Sequence, residues 1–448
     1  MKAWLSLLLA VLLAPLASPA HAFCGFYVAQ ANTRLYNSAS RVVLARKGSR
    51  TVVTMESNYQ GSPSNFAMVI PVPTVIRRDQ VRIADAALVN HIDNYSSPRL
   101  VEYFDPDPCQ SRQFLEESAG VDEDIIVTSG RLASPKALGV KIEARYQVGQ
   151  YDILILSATQ SGGLVTWLTQ NGYNMPPGAA PVVGSYLRQN MKFFVAKVNL
   201  KRRAAEGAET LPPLQISYAS RKFMLPIRLG TVNANGPQEM FVFTLTPNGR
   251  VETTNYRTVK LKSDLDIPIY VKGQFPSFYR ATFTRAVKAE NMRSVFMEYA
   301  WDSSSCDPCS AEPLSNGDAK GLGASWAGED SVYVTRLHLR YSRETFPEDL
   351  MLQETDDSDT YQVRYVLRHP FAGKTDCKEG QAYRNSLVTR WDDEARNLAS
   401  LTGWPMSQIK GQMRKNGAQP SASNDQPSDN ALAALWQSVY SFVHDAFA

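Results

Sequence analysis

Alternation of apolar and polar residues dominates the first half of the chain. Residues 140–148 alternate between the two classes, which predicts a strand with one face toward water. Residues 41–45 and 51–55 are runs rich in β-branched side chains on either side of a polar turn, which predicts a hairpin. The apolar run 66–72 is closed by prolines and predicts a strand that ends there or lies at a sheet edge.

Residues 151–156 are apolar almost throughout, as expected of a central strand. Helical patterns then interrupt the strands. Helical spacing of apolar residues follows near 164–171 and near 181–190, and residues 191–200 return to strand composition.

The second half of the chain is again mostly strand-like. Segments of strand composition lie at 214–218, 223–229, 240–246, 331–341 and 361–368. Residues 385–413 have a helical pattern, interrupted at Gly403-Trp404-Pro405. Because strand segments with short connections outnumber helical ones, the sequence predicts an α+β fold that is mainly antiparallel β.

We expect two β-rich lobes with inserted helices, a C-terminal helical cap and a tethered amphipathic helix. The two lobes should meet near residues 201–213. The expected divisions are a signal peptide at 1–22, an N-terminal lobe at 23–205, a C-terminal lobe with a cysteine loop and the helical cap at 206–413, a disordered linker at 414–430 and the amphipathic helix at 431–448.

The N-terminus has the pattern of a secretion signal. A short positive start precedes an apolar run at residues 5–16 and then Ala20-His21-Ala22, which predicts cleavage before Phe23. The apolar run is too short to span a bilayer. We therefore expect an exported, periplasmic or secreted protein with no transmembrane span in the mature chain.

The last segment, residues 431–448, carries an apolar stripe at helical spacing that includes Leu432, Leu435 and Trp436. Its polar face has no Lys or Arg, which disfavours an anionic membrane surface. Three placements stay open: docking on the body, which we favour, binding to a partner, or peripheral contact with a membrane.

Charge argues against one class of partner. The chain of 448 residues has 47 basic and 43 acidic residues and a net charge of +4. Proteins that bind nucleic acid show a clustered basic face, which such a balance does not provide. We expect no nucleic-acid partner.

Five cysteines are disulfide candidates in a chain expected to reach an oxidising compartment. They are Cys24, Cys109, Cys306, Cys309 and Cys377. An odd number leaves one thiol free, and the sequence does not decide the pairing. Our preferred pairing joins Cys24 to Cys109 and two of the remaining three to each other.

The motif Cys306-Asp307-Pro308-Cys309 allows three interpretations. Its spacing is that of thioredoxin-type dithiols, but helix-breaking residues follow where such a site needs a long helix. With His369 and Cys377, the two cysteines would make a weak candidate zinc set. We prefer a structural bridge that restrains a loop at 302–330, so we expect neither a metal nor another cofactor.

Common catalytic motifs are missing, and the catalytic residues, if there are any, stay unknown. The sequence has neither H-E-x-x-H nor G-x-S-x-G. Our leading hypothesis is a non-enzymatic binding or structural protein of the envelope, with an unknown envelope protein or ligand as its partner. The alternative is an extracytoplasmic enzyme, thiol–disulfide or metal-dependent, that uses the Cys306–Cys309 loop, with His91 as a further candidate.

A set of short motifs resembles one family. They are FCGFYV at 23–28, FAMVIPVP at 66–73, RLVEYF at 99–104, the Cys-Asp-Pro-Cys loop, LHLRYSRETFPEDL at 337–350 and LTGW at 401–404. Over most of residues 23–413 the chain resembles the domain-of-unknown-function family 2330 of uncharacterised secreted bacterial proteins. The resemblance implies a bacterial envelope protein and supplies no activity, cofactor or catalytic residue.

Overall fold

A computed structural model describes residues 26–29, 36–60, 66–110, 140–171, 178–199, 211–232, 234 and 236–420. The chain forms two compact units. The first contains the described parts of Met1–Ser97, Asp122–Lys260 and Asn291–Gln362. The second contains the described parts of Pro98–Val121, Leu261–Glu290 and Val363–Ala448.

The described residues form twenty strands and seven α-helices. The strands are β1 (Phe26–Ala29), β2 (Tyr36–Lys47), β3 (Arg50–Gln60), β4 (Phe66–Val72), β5 (Val81–Ile83), β6 (Arg99–Phe104), β7 (Val140–Val148), β8 (Tyr151–Ala158), β9 (Lys192–Val198), β10 (Leu214–Ala219), β11 (Met224–Leu225), β12 (Gln238–Thr246), β13 (Val251–Thr253), β14 (Arg257–Lys260), β15 (Leu265–Asp266), β16 (Ser294–Asp302), β17 (Tyr333–Tyr341), β18 (Leu350–Glu354), β19 (Tyr361–Gln362) and β20 (Arg364–His369). The helices are α1 (Ala86–Ser96), α2 (Ser161–Gln170), α3 (Ala179–Arg188), α4 (Phe275–Ala289), α5 (Asn316–Gly321), α6 (Lys378–Thr402) and α7 (Met406–Lys415).

Two large sheets form the body of the first unit. One has five antiparallel strands in the order β1-β4-β9-β8-β7. The other has nine strands in the order β14-β16-β17-β12-β2-β3-β10-β5, with β19 also beside β16. In this second sheet the β12–β2 and β14–β16 pairs are parallel and the others antiparallel.

The first unit is a four-layer structure because each large sheet buries both of its faces. Met68 and Ile155 of the five-stranded sheet share one apolar cluster with Val42, Val53 and Leu337 of the nine-stranded sheet, so these faces pack together. Helices α2 and α3 cover the other face of the five-stranded sheet. Helices α1 and α5 cover the other face of the nine-stranded sheet.

The second unit is built around a small parallel sheet. Its order is β15-β20-β6, and both pairs are parallel. Helices α4, α6 and α7 complete the unit, and Phe278 of α4 packs edge-on against Tyr365 of β20 with ring centroids 4.8 Å apart.

The predicted fold class is confirmed, since the described chain is α+β and mostly antiparallel. The hairpin over 41–55, the strand over 140–148 and the helices near 164–171 and 181–190 all occur. The predicted strand over 223–229 is wrong in extent, because β11 covers only Met224–Leu225. The patterns that predict α1 and α4 went unrecognised in the sequence.

The expected boundary near 201–213 does not coincide with the division between the two units. Strands β2 and β12 pair in parallel, so the nine-stranded sheet takes strands from both expected lobes. This pairing is non-local, and therefore no local pattern in the sequence signals it. Residues 1–22, the part of the linker from 421 and the terminal segment 431–448 lie outside the described residues.

None of the helices in the described residues has the length and hydrophobicity needed to cross a membrane.

Candidate functional site

The Cys306-Asp307-Pro308-Cys309 motif forms a disulfide at the surface of the first unit. Its two cysteines are three positions apart and bonded to each other. Cys309 is exposed, whereas Cys306 is half-buried and packs against the apolar cluster under α1. No helix starts at the motif, since α5 begins at Asn316.

The second disulfide joins Cys109 to Cys377 in the second unit, across a sequence separation of 268 residues. The preferred pairing of Cys24 with Cys109 is therefore wrong. In the chain-entropy model a bridge this long contributes about 5 kcal/mol, whereas one that closes four residues contributes about 2 kcal/mol. Of the two disulfides, Cys109–Cys377 thus contributes more to the free energy of unfolding.

The two disulfides use the sulfurs of the weak zinc candidates. Cys377 precedes the first residue of α6, where its Sγ accepts a hydrogen bond from the Gly380 N–H at 3.1 Å. His369 lies on β20, with Nε2 2.8 Å from Glu102 Oε2. Within the described ranges no group of three His, Cys, Asp or Glu side chains is placed to hold a metal ion.

His91, the other candidate, lies on α1. Its Nε2 is 2.8 Å from the Glu312 carbonyl oxygen, and its Nδ1 is 3.6 Å from an oxygen of Asp318. These contacts tie α1 to α5 and to the segment that precedes it. The ring thus has a local structural partner at each nitrogen.

A ladder of alternating charges crosses the outer face of the nine-stranded sheet, beneath α1. Its members in order are Glu56, Arg41, Asp93, Arg336, Glu298, His338, Glu239 and Arg340. Strand register aligns it, because Phe241 lies beside His338 on one side and Arg41 on the other. The register shift between Met297 and Tyr299 in β16 lies at Glu298, whose carboxylate contacts the ladder.

Asp93 of α1 connects two strands of this ladder. Its Oδ1 accepts a hydrogen bond from Arg336 Nη1 at 2.5 Å, and its Oδ2 accepts one from Arg41 Nη1 at 2.9 Å. Arg336 Nε donates to Glu298 Oε2 at 2.6 Å. The Phe241 ring stacks on His338 at 4.1 Å between centroids and lies 4.6 Å from the Arg336 guanidinium carbon. The ladder therefore fastens α1 to the sheet.

The ladder also sets the charge state of its central groups. Burial alone would lower the pKa of His338, but the carboxylates of Glu298 and Glu239 raise it. Burial alone would raise the pKa of Glu239, but the hydrogen bond from His338 and the charge of Arg340 lower it to about 2. With His338 protonated, four acidic and four basic side chains balance, as buried charges require.

This ladder was missed in the sequence, although it leaves a signal there. Arg336, His338 and Arg340 alternate with Leu337 and Leu339, so three cationic side chains share one face of β17. A strand with one apolar and one basic face needs acidic neighbours if the basic face is buried. Which carboxylates pair with these three cations depends on strand order, which the sequence does not show.

A cleft of about 240 Å³ opens between the end of β4, the start of β9 and the β10–β11 connection. Arg221 and Lys222 supply two adjacent cations, and Met191, Met224 and Pro226 contribute apolar surface. None of the described residues that line the cleft is Asp, Glu, His or Cys. An anion with an apolar portion is the ligand chemistry that fits such a lining.

Buried Arg46 holds the cationic edge of this cleft in place. Its Nη2 donates to the carbonyl oxygens of Ser220 at 3.1 Å and Arg221 at 3.3 Å, and its guanidinium lies 4.8 Å from the Phe223 ring centre. Burial lowers the pKa of Arg46, with nearby Tyr218 opposing this effect. Lys222 Nζ donates to Gln189 Oε1 at 3.1 Å across the cleft. The loop that carries Arg221 and Lys222 is therefore held in place.

The chain belongs to the family DUF2330, an uncharacterized protein conserved in bacteria, whose model matches residues 18–353. The resemblance noted in the sequence is thereby confirmed. The matched region contains the charge ladder, the cleft and the Cys306–Cys309 loop, and it ends before α6. No curated protein and no solved structure matches the chain.

Proposed function

We propose that this protein is an exported protein of the bacterial envelope that binds a small organic anion with an apolar portion, without converting it chemically. The observation that carries the proposal is the pair Arg221 and Lys222 at the cleft of the first unit, which is lined by polar and apolar side chains. The cleft thereby receives the binding role of the leading sequence hypothesis, together with a ligand class.

The lining supports an anion because its cations have no acidic partner among the described cleft residues. A guanidinium with a carboxylate or phosphate forms charge-assisted bonds that are stronger than neutral ones. Met191 and Met224 offer flexible apolar surface that adapts to a hydrocarbon chain. The volume of about 240 Å³ lies below the usual range for drug-sized ligands, so the ligand should be small.

Binding without chemistry fits the placement of the reactive side chains. The described cleft lining offers no carboxylate, imidazole or thiol to act as an acid, a base or a nucleophile. The acidic groups and the histidine of the ladder are bonded to one another beneath α1. Their evident role is to hold the fold.

Export is supported by three observations. The two disulfides are typical of an oxidising compartment, the family is bacterial, and the first 22 residues have the composition of a signal peptide. Alkaline phosphatase needs disulfides that form outside the cytoplasm, so a fusion after residue 60 tests this part: activity is expected, and an inactive fusion would contradict export.

Calorimetric titration with hexanoate tests the ligand class. We expect saturable binding by the wild type, and about tenfold weaker binding by R221Q, which removes one charge-assisted contact. R145Q is the matched control, because it removes an exposed arginine from β7, outside the cleft. Its affinity should equal that of the wild type.

Arg46→Met tests whether the loop support matters. It keeps both cleft cations and removes the hydrogen bonds to Ser220 and Arg221. We expect weaker hexanoate binding at unchanged stoichiometry.

Equal affinity for the wild type, R221Q and R145Q would show that the cleft is not the site.

A further inference from the structure

We propose that the Cys306–Cys309 disulfide is a thiol–disulfide exchange site at which attacking thiolates react with Cys309. This activity is separate from anion binding and does not depend on the cleft. The substrates are exposed dithiols of other proteins, and the regenerating oxidant is a low-molecular-weight disulfide.

The two sulfurs differ in access. Cys309 is exposed, whereas Cys306 is half-buried against the apolar cluster that contains Leu314 and Tyr95. Exchange requires a thiolate to approach the attacked sulfur in line with the disulfide, so access decides which sulfur is attacked. The exposed partner is thus the second cysteine of the motif, and Cys306 is the leaving group.

The loop keeps its position without help from the disulfide. On one side, Tyr95 Oη donates to the Ser305 carbonyl oxygen at 2.8 Å. On the other side, Ser310 Oγ donates to the Asn94 carbonyl oxygen at 2.6 Å, and Gln362 Nε2 donates to the Asp307 carbonyl oxygen between the cysteines. Since α1 itself is fastened by the charge ladder, both cysteines stay near each other when the bond opens.

The bond also adds less to stability than the Cys109–Cys377 bond does. It closes only four residues, while Cys109–Cys377 closes a loop longer than half of the chain. Loop-closure entropy favours the long bridge as the stabilising one. An exposed short-range disulfide in an already anchored loop is suited to opening and closing.

A substrate thiolate attacks Cys309 Sγ, the Cys306–Cys309 bond breaks, and Cys306 leaves as a thiolate that takes up a proton. The second substrate thiolate then attacks the substrate sulfur of the mixed disulfide and releases Cys309 as a thiol. The substrate loses two electrons and becomes a disulfide, and oxidised glutathione returns the pair to its disulfide by the reverse exchange.

Peptide mass mapping of the intact protein in graded mixtures of reduced and oxidised glutathione tests the proposal. We expect Cys306–Cys309 to open in mixtures that leave Cys109–Cys377 closed. In C306S, glutathione should add to Cys309, and in C309S it should add to Cys306 about tenfold more slowly because of burial. Peptide mapping also distinguishes glutathione bound to Cys306 or Cys309 from glutathione bound to Cys24.

Activity is measured as oxidation of a reduced dithiol peptide by oxidised glutathione. The wild type should accelerate it, and the double variant C306S/C309S should not, while its unfolding midpoint falls by less than that of C109S/C377S. Simultaneous opening of both disulfides, faster modification of Cys306 than of Cys309, a peptide oxidation rate that the wild type does not raise, or unfolding of the double variant would each overturn the proposal.

Discussion

His338 Nδ1 lies 2.5 Å from Glu298 Oε1, and both side chains are buried in the outer face of the nine-stranded sheet. Arg336 binds the other oxygen of the same carboxylate. Glu298 therefore neutralises two cations at the centre of the charge ladder. The consequences of this arrangement can be measured.

Glu298→Gln should destabilise the first unit by about 3–5 kcal/mol, because it leaves Arg336 and His338 without their buried counter-charge. Urea unfolding gives the magnitude, and faster hydrogen exchange in α1 should accompany it. Asp79→Asn is the control, since Asp79 pairs with Arg77 at the surface, and it should leave the midpoint unchanged. A wild-type midpoint for E298Q would show that the ladder does not hold α1.

Stability should also fall as pH rises through the pKa of His338. That pKa is raised in the folded state, so the imidazolium contributes its full stabilisation below about pH 6.5, the unfolded value. The contribution is lost as pH rises through the higher folded value. Unfolding free energies of the wild type should therefore decline above neutral pH, and His338→Gln should lose this component of the slope. Parallel profiles for the two proteins would contradict a protonated His338.

Glu394 of α6 should give the second unit its own pH dependence. Burial, opposed by Arg390, raises the pKa of Glu394 to about 8. The folded state thus binds the proton more tightly than the unfolded chain, and stability should fall between about pH 4.5 and pH 8. Glu394→Gln should remove this decline, so its advantage over the wild type grows with pH. A constant difference across that range would show that Glu394 ionises normally.

Cys109 and Cys377 should matter more for stability than the exposed pair. Replacing both with serine should destabilise the second unit by about 5 kcal/mol, the chain-entropy value for a loop of this length. Hydrogen exchange over α6, which begins after Cys377, should rise with it. The matched comparison is C306S/C309S, which likewise replaces two bonded cysteines with serine but opens a much shorter loop. Equal losses in the two double variants would contradict this division of roles.

The sequence predicted what short-range patterns encode. The alternation over 140–148 and the apolar run 151–156 correspond to an edge strand and its inner neighbour. The break at Gly403-Trp404-Pro405 separates α6 from α7, because Gly403 adopts a positive φ of 75° that ends the helix. Such features depend on residues a few positions apart.

Features that depend on strand order escaped sequence analysis. The parallel pairing of β2 with β12 merges strands from both expected lobes. The same pairing places Arg41 beside Phe241 and so continues the ladder from β17 to β3. Cys109 and Cys377 are likewise distant in sequence, and no spacing rule relates them. The cleft was missed because its cations and its apolar surface come from separate elements.

A thermodynamic cycle shows whether Arg221 and Lys222 recognise an anion. Titration of the wild type and of R221Q/K222Q with hexanoate and with hexanamide compares two ligands that differ in charge and hardly in shape. We predict that the wild type prefers hexanoate by at least about tenfold and that the double variant shows no preference. Equal affinity of the wild type for the two ligands, or a preference that survives in the double variant, would contradict the claim.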